Sequence, residues 1–193
     1  KAETDVVLTT QELGKMIKSA GIDFDSLEPV KPDSPFGEYT GAGTIFGASG
    51  GVAEAAVRTA YTFATGEELS EVDITPLRGV DKDSRTKDAE VDIKGTKVKI
   101  RVVSTLKEAE KSLKEIKNGT ADFHLLEVMA CPGGCIKGGG QPRSCDDIHI
   151  KEERAQGLYK EDKELPVRKS HLNPEIKKLY AEFLEAPGSH KAH

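Results

Sequence analysis

The chain contains no Trp, and aromatic residues make up only 5% of its 193 positions, so a core must come mainly from Val, Ile, Leu and Ala. Cysteine is almost as scarce: the only three, Cys131, Cys135 and Cys145, fall in one short stretch. An odd number so clustered is a poor disulfide framework, and in a reducing compartment grouped thiols are more often metal ligands or redox groups. There is no excess of basic charge. Lys and Arg number 28 against 33 Asp and Glu, a net −5 that excludes nucleic acid as the main partner. No apolar run approaches the ~20 residues that cross a bilayer, so no membrane insertion is expected. No internal repeat is visible. What is present, 36% hydrophobic and 32% charged residues, is the balance of a soluble, packed protein of one domain or two small lobes. The opening Lys-Ala-Glu-Thr-Asp has no signal-like run, and the expected location is cytoplasmic. It also lacks Met, which suggests processing or a piece of something longer.

Along the chain, Asp5-Val-Val-Leu-Thr-Thr10 reads as a short buried strand. Thr9 and Glu12 are spaced as a capping box for a helix over 10–20, with Leu13, Met16 and Ile17 as its apolar stripe. Residues 28–51 are rich in Pro and Gly, but Ile45 and Phe46 between the glycines predict an ordered loop that approaches something closely. An Ala-rich helix follows from Val52 to a stop at Gly66, then a strand near Glu71–Leu77. Asp92–Val103 reads as a hairpin turning at Lys94-Gly95. Thr105–Lys117 patterns as a helix with Leu106, Ala109, Leu113 and Ile116 on one face, and Phe123–Val128 as a strand. Asn173-Pro174 opens an amphipathic helix carrying Ile176, Leu179, Tyr180 and Phe183. Strand, helix, strand and glycine loop in that order predict an α/β fold with a mostly parallel sheet flanked by helices. The expected division is 1–165, holding the loop 127–142, and a C-terminal helical wrap over 166–193.

The strongest signal is Glu127-Val-Met-Ala-Cys131-Pro-Gly-Gly-Cys135, followed by Gly138-Gly-Gly-Gln-Pro142. Two thiols three residues apart can reach one metal centre if the backbone between them turns tightly, and Gly133 and Gly134 allow that. Gly138, Gly139 and Gly140 clear side chains again, which suits a backbone passing a bulky inorganic ligand. A cysteine pair in a glycine loop could also be a redox dithiol, half of a zinc site, or coincidence. Two thiolates do not complete a cubane, and nothing at zinc-finger spacing completes a tetrahedral site.

The wording Met129-Ala-Cys131-Pro-Gly-Gly-Cys135 with Gly138-Gly-Gly-Gln-Pro142 is similar to the third cysteine motif of the iron-only ([FeFe]) hydrogenases. Asp5–Leu13, Gly41–Gly47 with Ser49–Val52, Arg168–His171 with Asn173-Pro174, and the closing Ser189–His193 also resemble family segments. The resemblance implies one lobe of that fold, the C-terminal half of a catalytic domain that interconverts H2 with protons and electrons. It implies an H-cluster: a [4Fe–4S] cubane joined to a two-iron unit with CO, cyanide and a bridging dithiolate. Cys131 would ligate the cubane, and Cys135 would ligate it and bridge to the two-iron unit. Gly138, Gly139, Gly140 and Gln141 would bound the cofactor; Met129 and Phe46 would line the two-iron pocket. Without the motif, Met129 reads as a buried strand residue and Phe46 as a core aromatic under a loop.

The resemblance implies ferredoxin or an NAD(P)-linked subunit as redox partner, and the remainder of a hydrogenase polypeptide as structural partner. The family's two earlier cysteine motifs and its cyanide-anchoring lysine are absent here, so the chain reads as a fragment that is not catalytic alone. Cys145 matches no family position and reads as an incidental thiol; His171 and His190 read as structural, and Lys82–Lys87 as a solvated loop. Two other classes stay open. One is a hydrogenase-like iron–sulfur assembly protein that binds only cubanes; the other is a sensory homologue that reports H2.

Overall fold

The computed structural model describes residues 3–33, 36–79, 85–143 and 147–192. Cys145, Lys82 and the closing His193 lie outside them. The capping box forms as the spacing predicts. The Glu12 backbone N–H donates to the Thr9 hydroxyl, the Thr9 N–H donates to the Glu12 carboxylate at 2.8 Å, and helix α1 (Thr10–Ser19) starts there. Its stripe is largely uncovered: no residue of α1 is buried, Leu13 and Met16 are exposed, and Ile17 is half-buried. The strand expected at Asp5–Thr10 does not form. Val6 and Val7 are 70% and 86% exposed, because no strand among the described residues runs beside them.

The glycine-rich segment folds as a four-residue helix α2 (Gly41–Thr44), capped by the Thr40 hydroxyl, and a 3-10 turn Ile45–Gly47. Helix α3 (Gly51–Thr65) then runs to Gly66, which takes a φ of 70° as the C-terminal stop. The strand expected near Glu71–Leu77 is instead extended chain ending in a 3-10 turn, Thr75–Leu77, with Pro76 at its start. A proline cannot donate to a sheet ladder, and the segment's polar groups serve side chains of α3 instead.

Strands β1 (Thr86–Ile93) and β2 (Thr96–Ser104) make the expected hairpin. Lys94 and Gly95 both hold positive φ, at 48° and 89°, the two-residue turn whose twist matches the strands. Helix α4 (Leu106–Lys117) crosses over to β3 (Leu125–Met129), which pairs parallel to β2. The α/β expectation holds, with helices flanking a small sheet. The sheet is mixed, in the order β1-β2-β3, rather than mostly parallel, since the hairpin contributes an antiparallel pair. Ala53 and Val57 of α3 pack on Leu77, Ile100 and Val102 to form the hydrophobic core. On α4 the face that is buried is Ala109 and Ser112, while the expected Leu106 and Leu113 are 70% and 57% exposed.

The pattern gave no sign of helix α5 (Asp147–Glu164), which is held by the Asp162 and Arg154 side-chain bonds together with Leu158 packed on Gly47. Asn173 caps α6 (Pro174–Leu179) as expected, accepting from the N–H groups of Glu175 and Ile176. The helix continues as a π turn through Tyr180–Leu184, leaving Phe183 63% exposed. No helix among the described residues is long and apolar enough to cross a membrane.

Candidate metal centre

β2 and β3 run parallel, so Ser104 and Met129 end side by side and the chain leaves β3 directly into the cysteine loop. The outside of carboxyl strand ends is where open α/β sheets place ligands. At this junction Thr105 holds a φ of 90° and donates its N–H to the Met129 carbonyl at 2.7 Å. A β-branched residue in that conformation costs about 1–3 kcal/mol, and it persists because the strand ends and α4 fix both its neighbours.

The loop is a succession of tight turns. Gly134 N–H donates to the Cys131 carbonyl, Lys137 to Gly134, Gly138 to Cys135, and Gln141 to Gly138, all at 3.0–3.2 Å. Gly133 and Gly134 hold φ of 89° and 92°, as the spacing between the cysteines requires. Close approach matters as much as the angle. A Cβ at Gly134 would stand 2.6 Å from the Gly47 carbonyl oxygen and 2.8 Å from the Ser49 nitrogen. A Cβ at Gly138 would stand 3.6 Å from the Cys131 sulfur.

Three other segments hold the loop. Ser49 N–H donates to the Gly133 carbonyl at 3.2 Å, which joins the loop to the segment carrying Phe46. Gln11 N–H of α1 donates to the Gly140 carbonyl at 3.0 Å. From α5, Arg154 donates to the carbonyls of Ile136 and Pro142 at 2.9 and 3.0 Å. Beneath the loop, Glu127 of β3 is buried and accepts from the backbone N–H groups of Gly50 and Ala53 at 2.6 and 2.7 Å. It thereby occupies the positive end of α3. Burial pushes the Glu127 carboxyl up, against the pull of these N–H groups. Ser49 and Ser104 complete the floor, their hydroxyls 3.1 Å apart and both buried.

The structure therefore brings Cys131, Cys135 and Gly138 into one turn system, with Met129 half-buried at its root. Cys131 is partly buried and Cys135 exposed, both with free thiols. Gly140 lies against Thr9, Gln141 donates to the Thr10 hydroxyl at 3.4 Å, and Gly139 has open space around it. Phe46 is 45% exposed and lines a shallow groove along α3 with Val52, Ala56, Thr59 and Phe63. His171 is hydrogen-bonded to Thr59 and Glu68, in keeping with a structural part. Among the described residues no three His, Cys, Asp or Glu side chains cluster as metal ligands. Two cysteines on a glycine-rich loop, with no third donor clustered beside them among the described residues, fit a cluster shared with other polypeptide better than a closed zinc site.

Sequence reasoning missed Glu127 as the tie between β3, which leads into the loop, and the start of α3. The signal was present: a carboxylate in a strand that otherwise reads Leu-Leu-Val-Met, next to a required glycine loop.

Fold and loop together define the class: an α/β lobe that presents a pair of thiolates at the end of a parallel strand. Residues 1–139 match the family model of the iron only hydrogenase large subunit, C-terminal domain, and residues 148–193 match that of the iron hydrogenase small subunit. The chain belongs to the iron-only hydrogenase family. It is 47% identical over 191 residues to the NADP-reducing hydrogenase subunit HndD of Solidesulfovibrio fructosivorans, covering 99% of this chain and 32% of that protein. Against iron hydrogenase 1 of Clostridium pasteurianum the identity is 42%, over 99% of this chain and 33% of the relative. The [FeFe]-hydrogenase HydA1 of Chlamydomonas reinhardtii superposes with a TM-score of 0.73 at 35% identity, covering 98% of this chain and 53% of that one. The chain thus spans about a third of these curated relatives and half of the solved structure. Protein NAR1 of Arabidopsis thaliana is 30% identical, over 98% of this chain and 40% of its own length.

Proposed function

We propose that this chain is the C-terminal half of the catalytic domain of an iron-only hydrogenase, in which Cys131 and Cys135 are two of the thiolate ligands of an H-cluster. The reaction is reversible H2 oxidation, with electrons passed to ferredoxin or NAD(P). The observation that carries the reading is the cysteine loop: two free thiols on a backbone held by α1, by Ser49 ahead of α3 and by α5, with no cluster of three metal-ligating side chains among the described residues. The H-cluster, a [4Fe–4S] cubane joined to a two-iron unit, supplies the site that polarises H2 and the route for electrons. The chain's own residues hold and insulate it. Cys131 and Cys135 provide soft thiolates, and Gly138–Gly140 with Gln141 offer backbone and amide donors without steric bulk. Met129 and Phe46 would line the two-iron side once the remaining polypeptide covers them, and a dry setting there would strengthen local electrostatic interactions. The remaining ligands come from polypeptide beyond the third of the relatives' length that this chain spans. The exposed Val6, Val7, Leu13 and Met16 are the surface which that polypeptide covers.

A second reading, an iron–sulfur assembly protein, is favoured by the likeness to protein NAR1. The higher identity to HndD and to iron hydrogenase 1 favours the enzyme. The two separate on the full parent polypeptide, purified anaerobically. Infrared bands of iron-bound CO and cyanide support the hydrogenase. A cubane signal without them supports the assembly protein. Cys131→Ser and Cys135→Ser should each lower bound iron, and iron content unchanged in both would overturn either reading.

A further inference from the structure

Building on the reading that Cys131 and Cys135 are cluster ligands, we propose that Arg154 of α5 raises the reduction potential of that cluster through its charge, besides fixing the loop through its hydrogen bonds. One side of α5 is turned to the cysteine loop: Lys151, Arg154 and Leu158 follow at the i, i+3, i+7 spacing that shares a helix face. The Lys151 side chain lies over Gly133, between the two cysteines, where a Cβ would stand 2.5 Å from its Cε and 3.1 Å from its Nζ. Leu158 lies on Gly47, where a Cβ would stand 2.9 Å from its Cδ1 and 3.8 Å from the Ile136 side chain of the loop.

Arg154 sits between these two contacts and holds the second half of the loop. Its terminal nitrogens donate to the carbonyls of Ile136 and Pro142, at 2.9 and 3.0 Å. Those acceptors bracket Gly138–Gly140, so one planar guanidinium fixes both ends of the glycine run. Both are neutral carbonyls, and these bonds leave the positive charge uncancelled. The hollow beside Arg154 is lined by loop residues together with Lys137 and Arg143, and no acidic side chain is among its described lining residues. Ile136 follows Cys135 directly, so bond lengths from that carbonyl to the Cys135 sulfur keep the guanidinium within about 12 Å of the thiolate.

A thiolate-bound cluster becomes more negative when it accepts an electron, and a fixed positive charge nearby favours that reduced form. The guanidinium suits the part because it stays charged at every accessible pH and its fork holds it in place. At about 12 Å, in an effective dielectric of about 20, a unit charge alters the ratio of reduced to oxidised cluster by about tenfold. Arg154 is only half-buried, and solvent screening lowers this toward about threefold. For a one-electron couple the tenfold limit is about 59 mV. A clamp that acted by packing alone would need the hydrogen bonds but not the charge, and this difference separates the two.

The test is a redox titration of the full parent polypeptide with a chemical reductant, purified anaerobically and followed by electron paramagnetic resonance on the signal that Cys135→Ser abolishes. Arg154→Gln removes the charge and part of the hydrogen bonding, whereas Arg154→Lys keeps the charge and loses the fork. Both should lower the melting temperature. Arg154→Gln should in addition make the cluster about three- to tenfold harder to reduce at a fixed potential, while Arg154→Lys should stay within about twofold of wild type. Arg154→Gln at the wild-type potential, or Arg154→Lys shifted as far as Arg154→Gln, would overturn the proposal. Should Arg154→Gln hold no cluster, Arg154→Lys decides: a loaded protein at the wild-type potential supports the role of charge, and an empty or shifted one overturns it. A wild type with no signal that depends on Cys135 would overturn the proposed function itself, and the role of Arg154 with it.

Discussion

Glu127→Ala tests whether the tie between β3 and the start of α3 steadies the cysteine loop that follows β3. The carboxylate accepts from Gly50 and Ala53 at 2.6 and 2.7 Å, and it sits at the start of α3. A hydrogen bond to a charged acceptor contributes about 1.5–3 kcal/mol, so two amount to roughly 3–6 kcal/mol. Desolvation works against this, since burial pushes the carboxyl upward, and a few kcal/mol of cost return when the charge is removed. The alanine, however, leaves two N–H donors pointing into a buried space, at about 1–3 kcal/mol each. We expect a net destabilisation of about 2–4 kcal/mol, well above the effect of an ordinary surface change. The assay is denaturant unfolding together with alkylation of Cys131, which is partly buried in the loop that follows β3. Alkylation of Cys131 should accelerate, while that of the exposed Cys135 should change little. A variant within about 0.5 kcal/mol of wild type, with unchanged Cys131 reactivity, would refute the reasoning, because that is the range of substitutions at sites without such a role.

Gly134→Ala combines a positive φ of 92° with a Cβ 2.6 Å from the Gly47 carbonyl oxygen, and should cost at least about 2 kcal/mol and lower iron binding by the parent polypeptide. Wild-type iron content and melting temperature would contradict it. Acid should loosen the ion pairs that Asp73 and Asp162 make with Arg58, Arg78 and Arg168. Burial pushes the Asp73 carboxyl up, but hydrogen bonds from Arg168 and Lys163, with the charges of Arg78 and Arg168, outweigh it and hold the group at about 2. Asp162 is likewise held down, burial again opposed by Arg58 and Arg168. A carboxyl depressed in the folded state stabilises above its unfolded value, about 4, and that contribution is lost as pH falls toward about 2. Wild-type stability should therefore drop over that window more steeply than that of Asp73→Asn, as melting curves across pH would show; parallel curves would count against it.

Local devices were readable in the chain. The Thr9–Glu12 cap, the Lys94-Gly95 turn, the Gly66 stop and the Asn173-Pro174 start each depend on residues within one turn of one another. Features that depend on distant neighbours were not. Asp5–Thr10 has the composition of a strand but no strand beside it, and the apolar face of α4 looks outward at Leu106 and Leu113. Helix α5 was invisible because hydrophobic periodicity reports apolar burial, while this helix buries Asp162 against Arg58, 104 positions away.

The sequence by itself determined the chemistry on offer. A short run of cysteines and glycines after an apolar strand allows two thiols on a tightly turned loop, because φ and Cβ sterics are local. Only the tertiary structure decided what supports that loop: Gly47 and Ser49 against its turn, Gln11 on the Gly140 carbonyl, and Arg154 on the carbonyls of Ile136 and Pro142. Hydrogen bonds and charge pairs act over a few ångströms in space, regardless of separation along the chain, so their partners exist only once the chain has folded.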